Sequence, residues 1–278
     1  MFKGVCLILT LIMAHINGVN ISDDIERIDL KLKEQEIAFT FLSLSSGEAT
    51  LVQDAQGDNI LINTGGPETQ EELKVLLKTY NIKKLKYVVI TKDDIQYTSN
   101  LDFVMTEYDV ESIIVGEHAP NYQKGNILIP KITWKKDQKY ELLPGLSAKI
   151  LHETINKNNI AEMDILFQYE KTYILFMSSS NKSVEKQLKG VDLSDVDIYK
   201  VAEFGTGEGA TQDFVSHIDP QVAIIFNKNN IAPNHALVER LHETWIDVYI
   251  LEQFGNVTIR IDDTQYKIIT ISLQSIAR

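Results

Sequence analysis

Short β-rich apolar runs recur along the whole chain with single helical segments between them, and this alternation limits the fold more than any other feature. Ile37 to Leu42, Thr50 to Gln53 and Ile60 to Ile62 read as strands, the last two joined by the hairpin-type turn Asp54-Ala-Gln-Gly-Asp58. Glu71 to Tyr80 reads as a helix with Leu73, Leu76 and Leu77 on one face, and Leu101 to Tyr108 as a second. Further strands are predicted at Tyr87 to Ile90, Ser112 to Val115, Ile127 to Ile132, Ala148 to Leu151, Ile165 to Tyr169 and Tyr173 to Met177. The second half of the chain alternates in the same way. Helices are predicted there at Val184 to Leu188 and Ala236 to Glu243, and strands at Ile198 to Val201, Val222 to Phe226, Val248 to Leu251, Val257 to Ile261 and Tyr266 to Ile271. Strand clusters and single helices in both halves predict two sheets packed face to face with helices outside. With 278 residues, 44% of them apolar, the chain is long enough for one sizeable core, and no low-complexity linker divides it.

The first residues carry a lone cation, Lys3, an apolar run from Val5 to Ala14, and small or polar residues around Asn17, Gly18 and Val19. This is the pattern of a secretory signal peptide over residues 1–18, too short for a spanning helix. A buried first strand or an uncleaved anchor are the other readings of the same flanks. Residues 19–36 form an N-terminal segment in which Ile21, Ile25, Ile28 and Leu32 recur at helical spacing, and residues 37–278 form the main domain. Beyond the leader no stretch is long and apolar enough to cross a bilayer. The expected location is therefore secreted or extracytoplasmic. Cys6, the only cysteine, lies in the leader, so the exported fold has no disulfide and stands on its hydrophobic core. Lys plus Arg number 27 against 39 Asp plus Glu, a net charge of −12 that disfavours tight nucleic-acid binding.

Three stretches carry the polar residues expected to do chemistry. The first is Phe41-Leu-Ser-Leu-Ser-Ser-Gly47-Glu-Ala-Thr-Leu51, followed by Ile60-Leu-Ile-Asn-Thr-Gly65-Gly66. The second is Tyr87-Val-Val-Ile-Thr91-Lys-Asp-Asp-Ile-Gln-Tyr97, and the third Tyr199-Lys-Val-Ala-Glu-Phe-Gly205-Thr206, preceded by Ile174-Leu-Phe-Met-Ser-Ser179. In order and spacing these resemble the metallo-β-lactamase fold, an α/β αββα four-layer sandwich, and within it the extracytoplasmic hydrolase domain of ComEC-type DNA-uptake proteins. The similarity runs from about Ile37 to about Ile261. The resemblance implies a zinc-binding Thr-His-x-His-x-Asp-His stretch at the end of a buried strand. This chain has Lys92, Asp94, Gln96 and Tyr97 in those places, Ser179 at a bridging aspartate, and Glu203-Phe204 at a paired histidine. Gly47, Ala49, Thr64 and Gly65 match the scaffold, whereas Ser43, Ser46, Glu48 and Asn63 replace its polar groups.

Zinc needs neutral imidazole, thiolate or carboxylate donors, and a lysine ammonium has no lone pair. The expected outcome is a vestigial cleft of Lys92, Asp94, Gln96, Tyr97, Ser179, Glu203 and Phe204 with no catalytic residue and no cofactor. Such a chain works as a non-catalytic, pseudoenzyme-like binder of an unknown extracellular ligand or protein. The alternative is a metal-dependent hydrolase of phosphodiesterase or nuclease type, with Asp94, Glu203 and Glu48 offering oxygen ligands to a divalent metal. A salt bridge from Lys92 to Asp94 and Glu203 is a third use of the same residues. Ser178-Ser-Ser180 lacks the Gly-x-Ser-x-Gly elbow of a nucleophile. Gly205-Thr-Gly-Glu-Gly209 lacks the ending and spacing of a phosphate loop and reads as a flexible cleft rim.

Overall fold

The computed structural model describes residues 27–122 and 128–272; the predicted leader lies outside them. Eight strands form the first sheet: β1 (Ile37–Phe41), β2 (Thr50–Asp54), β3 (Asn59–Ile62), β4 (Lys84–Ile90), β5 (Asp109–Gly116), β6 (Lys131–Trp134), β14 (Asn256–Ile261) and β15 (Tyr266–Ile271). Their order across the sheet is β15-β14-β1-β2-β3-β4-β5-β6. The second sheet has seven: β7 (Lys139–Leu143), β8 (Leu146–Ile155), β9 (Ala161–Tyr169), β10 (Thr172–Phe176), β11 (Val196–Lys200), β12 (Val222–Ile225) and β13 (Asp247–Ile250). They lie in the order β13-β12-β11-β10-β9-β8-β7. Each sheet is antiparallel at one side and parallel at the other: β3 to β6 run parallel in the first, β10 to β13 in the second.

Alternation of side chains along the strands makes the layers. Ile60, Ile62 and Val89 point into the space between the sheets, with Phe39, Phe167, Ile174 and Phe176, while Leu61 and Val88 point the other way. That outer face of the first sheet packs on α1 (Gln70–Thr79), through Leu73, Leu76 and Leu77, and on α3 (Leu101–Glu107). Across the molecule, Leu175, Tyr199 and Ala223 meet α4 (Lys182–Leu188), α5 (Gln212–Ile218) and α6 (His235–Glu243). Three apolar interfaces between four layers give the αββα sandwich that the strand alternation predicted.

The hairpin turn forms as predicted, with Asp54 N–H donating to Asp58 O at 3.2 Å. Other expectations are corrected. Of the helically spaced Ile21, Ile25, Ile28 and Leu32, the first two lie outside the described residues. Over residues 27–32 the chain is not helical: its burial alternates with period two, and Ile28 and Leu30 lie along the α1 layer, with Ile28 N–H bonded to Thr79 O. Of the strand expected over Ile127 to Ile132, Ile127 lies outside the described residues, and the described strand begins at Lys131, after Pro130, which lacks a donor for the ladder. Strand β7, the short helix α2 (Ile95–Thr98), α5 and α7 (Leu251–Phe254) are elements that the apolar periodicity does not announce. Among the described residues no helix is long and apolar enough to cross a membrane.

Candidate functional site

The loops leaving the carboxyl ends of β3, β4, β10 and β11 converge on one cleft between the sheets. Gly47 (φ +89°) belongs to this convergence: a Cβ there would lie 2.0 Å from Gly66 N and 2.5 Å from Gln96 O. Only glycine lets the β1–β2 loop approach so closely. Ser46 Oγ donates to Gln96 Oε1 at 2.6 Å, and Asn63 Nδ2 to Thr91 Oγ1 at 3.0 Å.

Two lysines hold the centre of this cleft. Lys92, just past β4, has its ammonium 3.0 Å from Glu162 Oε2 on β9, pairs with Glu203, and donates to Ser178 O at 3.1 Å. Burial pulls its pKa down, but Glu203 and Glu162 more than offset this and hold it above the ordinary lysine value. Lys200, the last residue of β11, is fully buried. Its ammonium lies 2.5 Å from Glu48 Oε2 and donates to Met177 O at 2.6 Å. Neither Glu48 oxygen has a well-aligned hydrogen bond, and desolvation outweighs the pull of Lys200, pushing the carboxyl up to about 7. Desolvation likewise holds Lys200 below the usual lysine range despite Glu48. Tyr97 fills the space between the two ammoniums, with each Nζ 5.8 Å from its ring centroid, and packs on Phe204 at 5.9 Å.

A third buried group stands on the wall behind. Asp164 on β9 accepts from Ser178 N at 2.7 Å, Ser179 N at 2.9 Å and the Ser179 hydroxyl. His152 Nδ1 on β8 is 3.2 Å from Asp164 Oδ2. Burial pushes the Asp164 pKa up, but His152 and the serine hydrogen bonds outweigh it and keep the carboxyl low; His152 is raised by its aspartate against the effect of burial.

The backbone of Glu203 (φ 50°, ψ 37°) and Phe204 (φ 59°, ψ 21°) is left-handed at two consecutive non-glycine residues, followed by Gly205 at φ +67°. Such conformations cost of order 1 kcal/mol or more each. They turn the chain so that Glu203 reaches Lys92 and Phe204 reaches Tyr97.

Of the sequence-predicted cleft residues, Lys92, Glu203, Tyr97, Phe204 and Ser179 gather here, with Gln96 behind the β1–β2 loop. Asp94 does not join them. It caps α2, accepting from Gln96 N at 2.8 Å, so the expected Lys92–Asp94 bridge is replaced by Lys92–Glu162. Asp94, Glu203 and Glu48 are thus divided among a helix cap and two lysine pairs. Gly205–Gly209 is tied down: Gly209 N donates to Ser180 Oγ at 2.8 Å, and Ala210 N–H bonds to Glu185. Lys200, Glu162, Asp164 and His152 join the site without having been expected in it. Lys200, Glu162 and Asp164 each carry a signal in the sequence, as a charged side chain between apolar neighbours in a strand, whereas His152 is followed by Glu153. Sequence position still does not tell which of them faces the cleft.

No protein-family model matches the sequence, and no curated protein is significantly similar to it. Solved structures are. The metallo-β-lactamase fold protein YhfI from Bacillus subtilis aligns with a TM-score of 0.57 at 11% identity, covering 77% of this chain and 96% of that one. Zn²⁺-bound PqqB from Methylobacterium extorquens aligns at 0.55 and 9% identity, over 80% and 99%. This chain has the metallo-β-lactamase fold. A long-form RNase Z from yeast aligns at 0.59 and 9% identity, over 87% of this chain but 51% of the enzyme. PqqB carries zinc on this fold, and the residues in the cleft of this chain do not suit a metal ion. Two ammoniums lie among its carboxylates, where they repel a dication and offer it no lone pair. Among the described residues no group of three or more His, Cys, Asp or Glu side chains is gathered to hold an ion. His118, His217 and His235 are engaged elsewhere, by Glu153, Val191 O and Glu239.

Proposed function

We propose that this chain is an exported, non-catalytic member of the metallo-β-lactamase fold that acts by binding a ligand or partner. In it, two lysines, paired with three glutamates, take the place of the metal ligands. The reading is supported above all by Lys92 and Lys200. Each supplies a buried positive charge, each neutralises glutamates that would otherwise be buried unpaired, and each ties a loop of one sheet to the other. A metal centre neutralises buried carboxylates and pins the loops of a cleft in place; here ammoniums do both. The absence of motif histidines in the second and third stretches agrees with this, as does the leader with export. The relation to ComEC-type domains is one of motif order, and the net charge of −12 argues against a polyanionic partner.

The test is the metal content of the full-length protein purified without chelator, together with hydrolysis of a chromogenic phosphodiester. The expected result is substoichiometric metal, removed by mild chelation without loss of fold, and no turnover after addition of Zn²⁺ or Mn²⁺. About two firmly held ions per chain would overturn the reading.

A further inference from the structure

Beside the cleft, a cavity of about 490 Å³ opens outside the carboxyl ends of the parallel strands β10, β11 and β12, lined by the segments that follow each of them. Ligands of open α/β sheets gather at this end of the strands, and the volume suits a small molecule. Its walls carry two cations, Lys182 and Arg240, and neither has a carboxylate within ion-pair distance among the described residues. In a chain with 12 more acidic than basic residues, two unneutralised cations facing one cavity are a departure from its general charge balance.

The donors are also set in place. Arg240 Nη1 donates to Ala210 O at 2.5 Å, which fixes the guanidinium on the wall and leaves its other N–H groups for a guest. Asn234 Oδ1 is engaged by Ala236 N at 3.0 Å, so its amide hydrogens remain to be used. The N–H groups of Gly207 and Glu208 have no partner among the described residues. Gly207 is required there: a Cβ would fall 2.0 Å from Ser180 Oγ. Glu208, exposed at the rim, is the only acid among the described residues that line the cavity.

We propose that this cavity binds a small phosphate monoester. An ammonium and a guanidinium match a dianion in charge, and the planar fork of Arg240 suits its oxygens. The amide of Asn234 and the loop N–H groups complete the shell, while Glu208 accepts from a hydroxyl on the organic part. This goes beyond the cleft reading and does not depend on it, because no residue of the cavity holds the Lys92 or Lys200 pairs.

Calorimetric titration of the full chain with glycerol 3-phosphate, inorganic phosphate and glycerol tests it. Saturable one-to-one binding is expected for glycerol 3-phosphate, weaker binding for inorganic phosphate and none for glycerol. Lys182→Ala, at an exposed position, should weaken glycerol 3-phosphate binding about tenfold or more, and Arg240→Lys by a similar factor. Lys228→Ala, which removes a cation outside the cavity, should leave it unchanged. Absence of saturable binding, or an equal loss in Lys228→Ala and Lys182→Ala, would overturn the proposal, and Lys182→Ala decides it even if Arg240→Lys does not fold. Firmly bound metal would sink the cleft reading while leaving this one standing.

Discussion

Lys200 and Glu48 join the two sheets: the lysine ends β11 of one, the glutamate follows β1 of the other, and their charged atoms stand 2.5 Å apart with both side chains fully buried. A pair so placed stabilises little relative to apolar residues of the same shape, because desolvating two charges offsets their attraction. Losing one partner is different. Lys200→Met leaves Glu48 buried without a counter-charge and should cost about 3–5 kcal/mol, whereas Lys200→Met with Glu48→Leu should recover most of it. Urea denaturation of the two variants measures this. Equal losses in both would show that packing, not charge, holds the position.

The same pair sets a pH dependence. Glu48 has its folded-state pKa raised from 4.5 to about 7, so between these values the unfolded chain has released a proton that the folded chain still holds. Stability contributed by this group is therefore present below about 4.5 and lost as the pH rises towards 7, a change on the order of 3 kcal/mol. His152, also raised, acts in the same direction but in a higher window, from its ordinary value of 6.5 upward. Glu48→Gln should flatten the slope of unfolding free energy between pH 5 and 7. An unchanged slope there would show that Glu48 does not hold the proton, because the contribution of His152 is lost only from about 6.5 upward.

Lys92 is shared between two glutamates of unequal burial. Glu162 is 4% exposed and Glu203 27%. A charge nearer water is screened and worth less. Glu162→Gln should therefore destabilise more than Glu203→Gln, by at least about 1 kcal/mol. Losing Glu203 also removes the contact that draws two residues into left-handed backbone. A larger loss in Glu203→Gln would mean that the strained turn, more than the buried pair, depends on Lys92.

Much of the layering is legible in the sequence because it rests on apolar periodicity. Ile60, Leu61 and Ile62 alternate between two layers, and Leu73, Leu76 and Leu77 face one. Helix α2 is hidden because its four residues hold no turn-spaced apolar pattern, only the capping Asp94 that looks instead like a ligand. The cleft is legible on the side where Lys92, Tyr97 and Glu203 break an expected motif. It is opaque where partners come from distant strands: nothing local in Ala161-Glu-Met-Asp164 distinguishes Glu162, turned to Lys92, from Asp164, turned to Ser178, Ser179 and His152. Register across β8, β9 and β10 decides that, and register is a property of the folded sheets.

Asp164 and His152 supply the last expectation. Burial alone would lower the imidazole pKa; the aspartate 3.2 Å away more than reverses this. Asp164→Asn removes the charge but keeps the size and the acceptor for Ser178 N and Ser179 N. In that variant desolvation is left as the leading influence, so His152 should titrate below the ordinary imidazole value, and NMR observation of its ring protons follows the shift. The variant should lose about 2 kcal/mol or more of stability as well, since the hydrogen bonds of Ser178 and Ser179 to Asp164 are charge-assisted. If the His152 titration did not move, its raised pKa would have to come from Glu162, the other carboxylate acting on the ring.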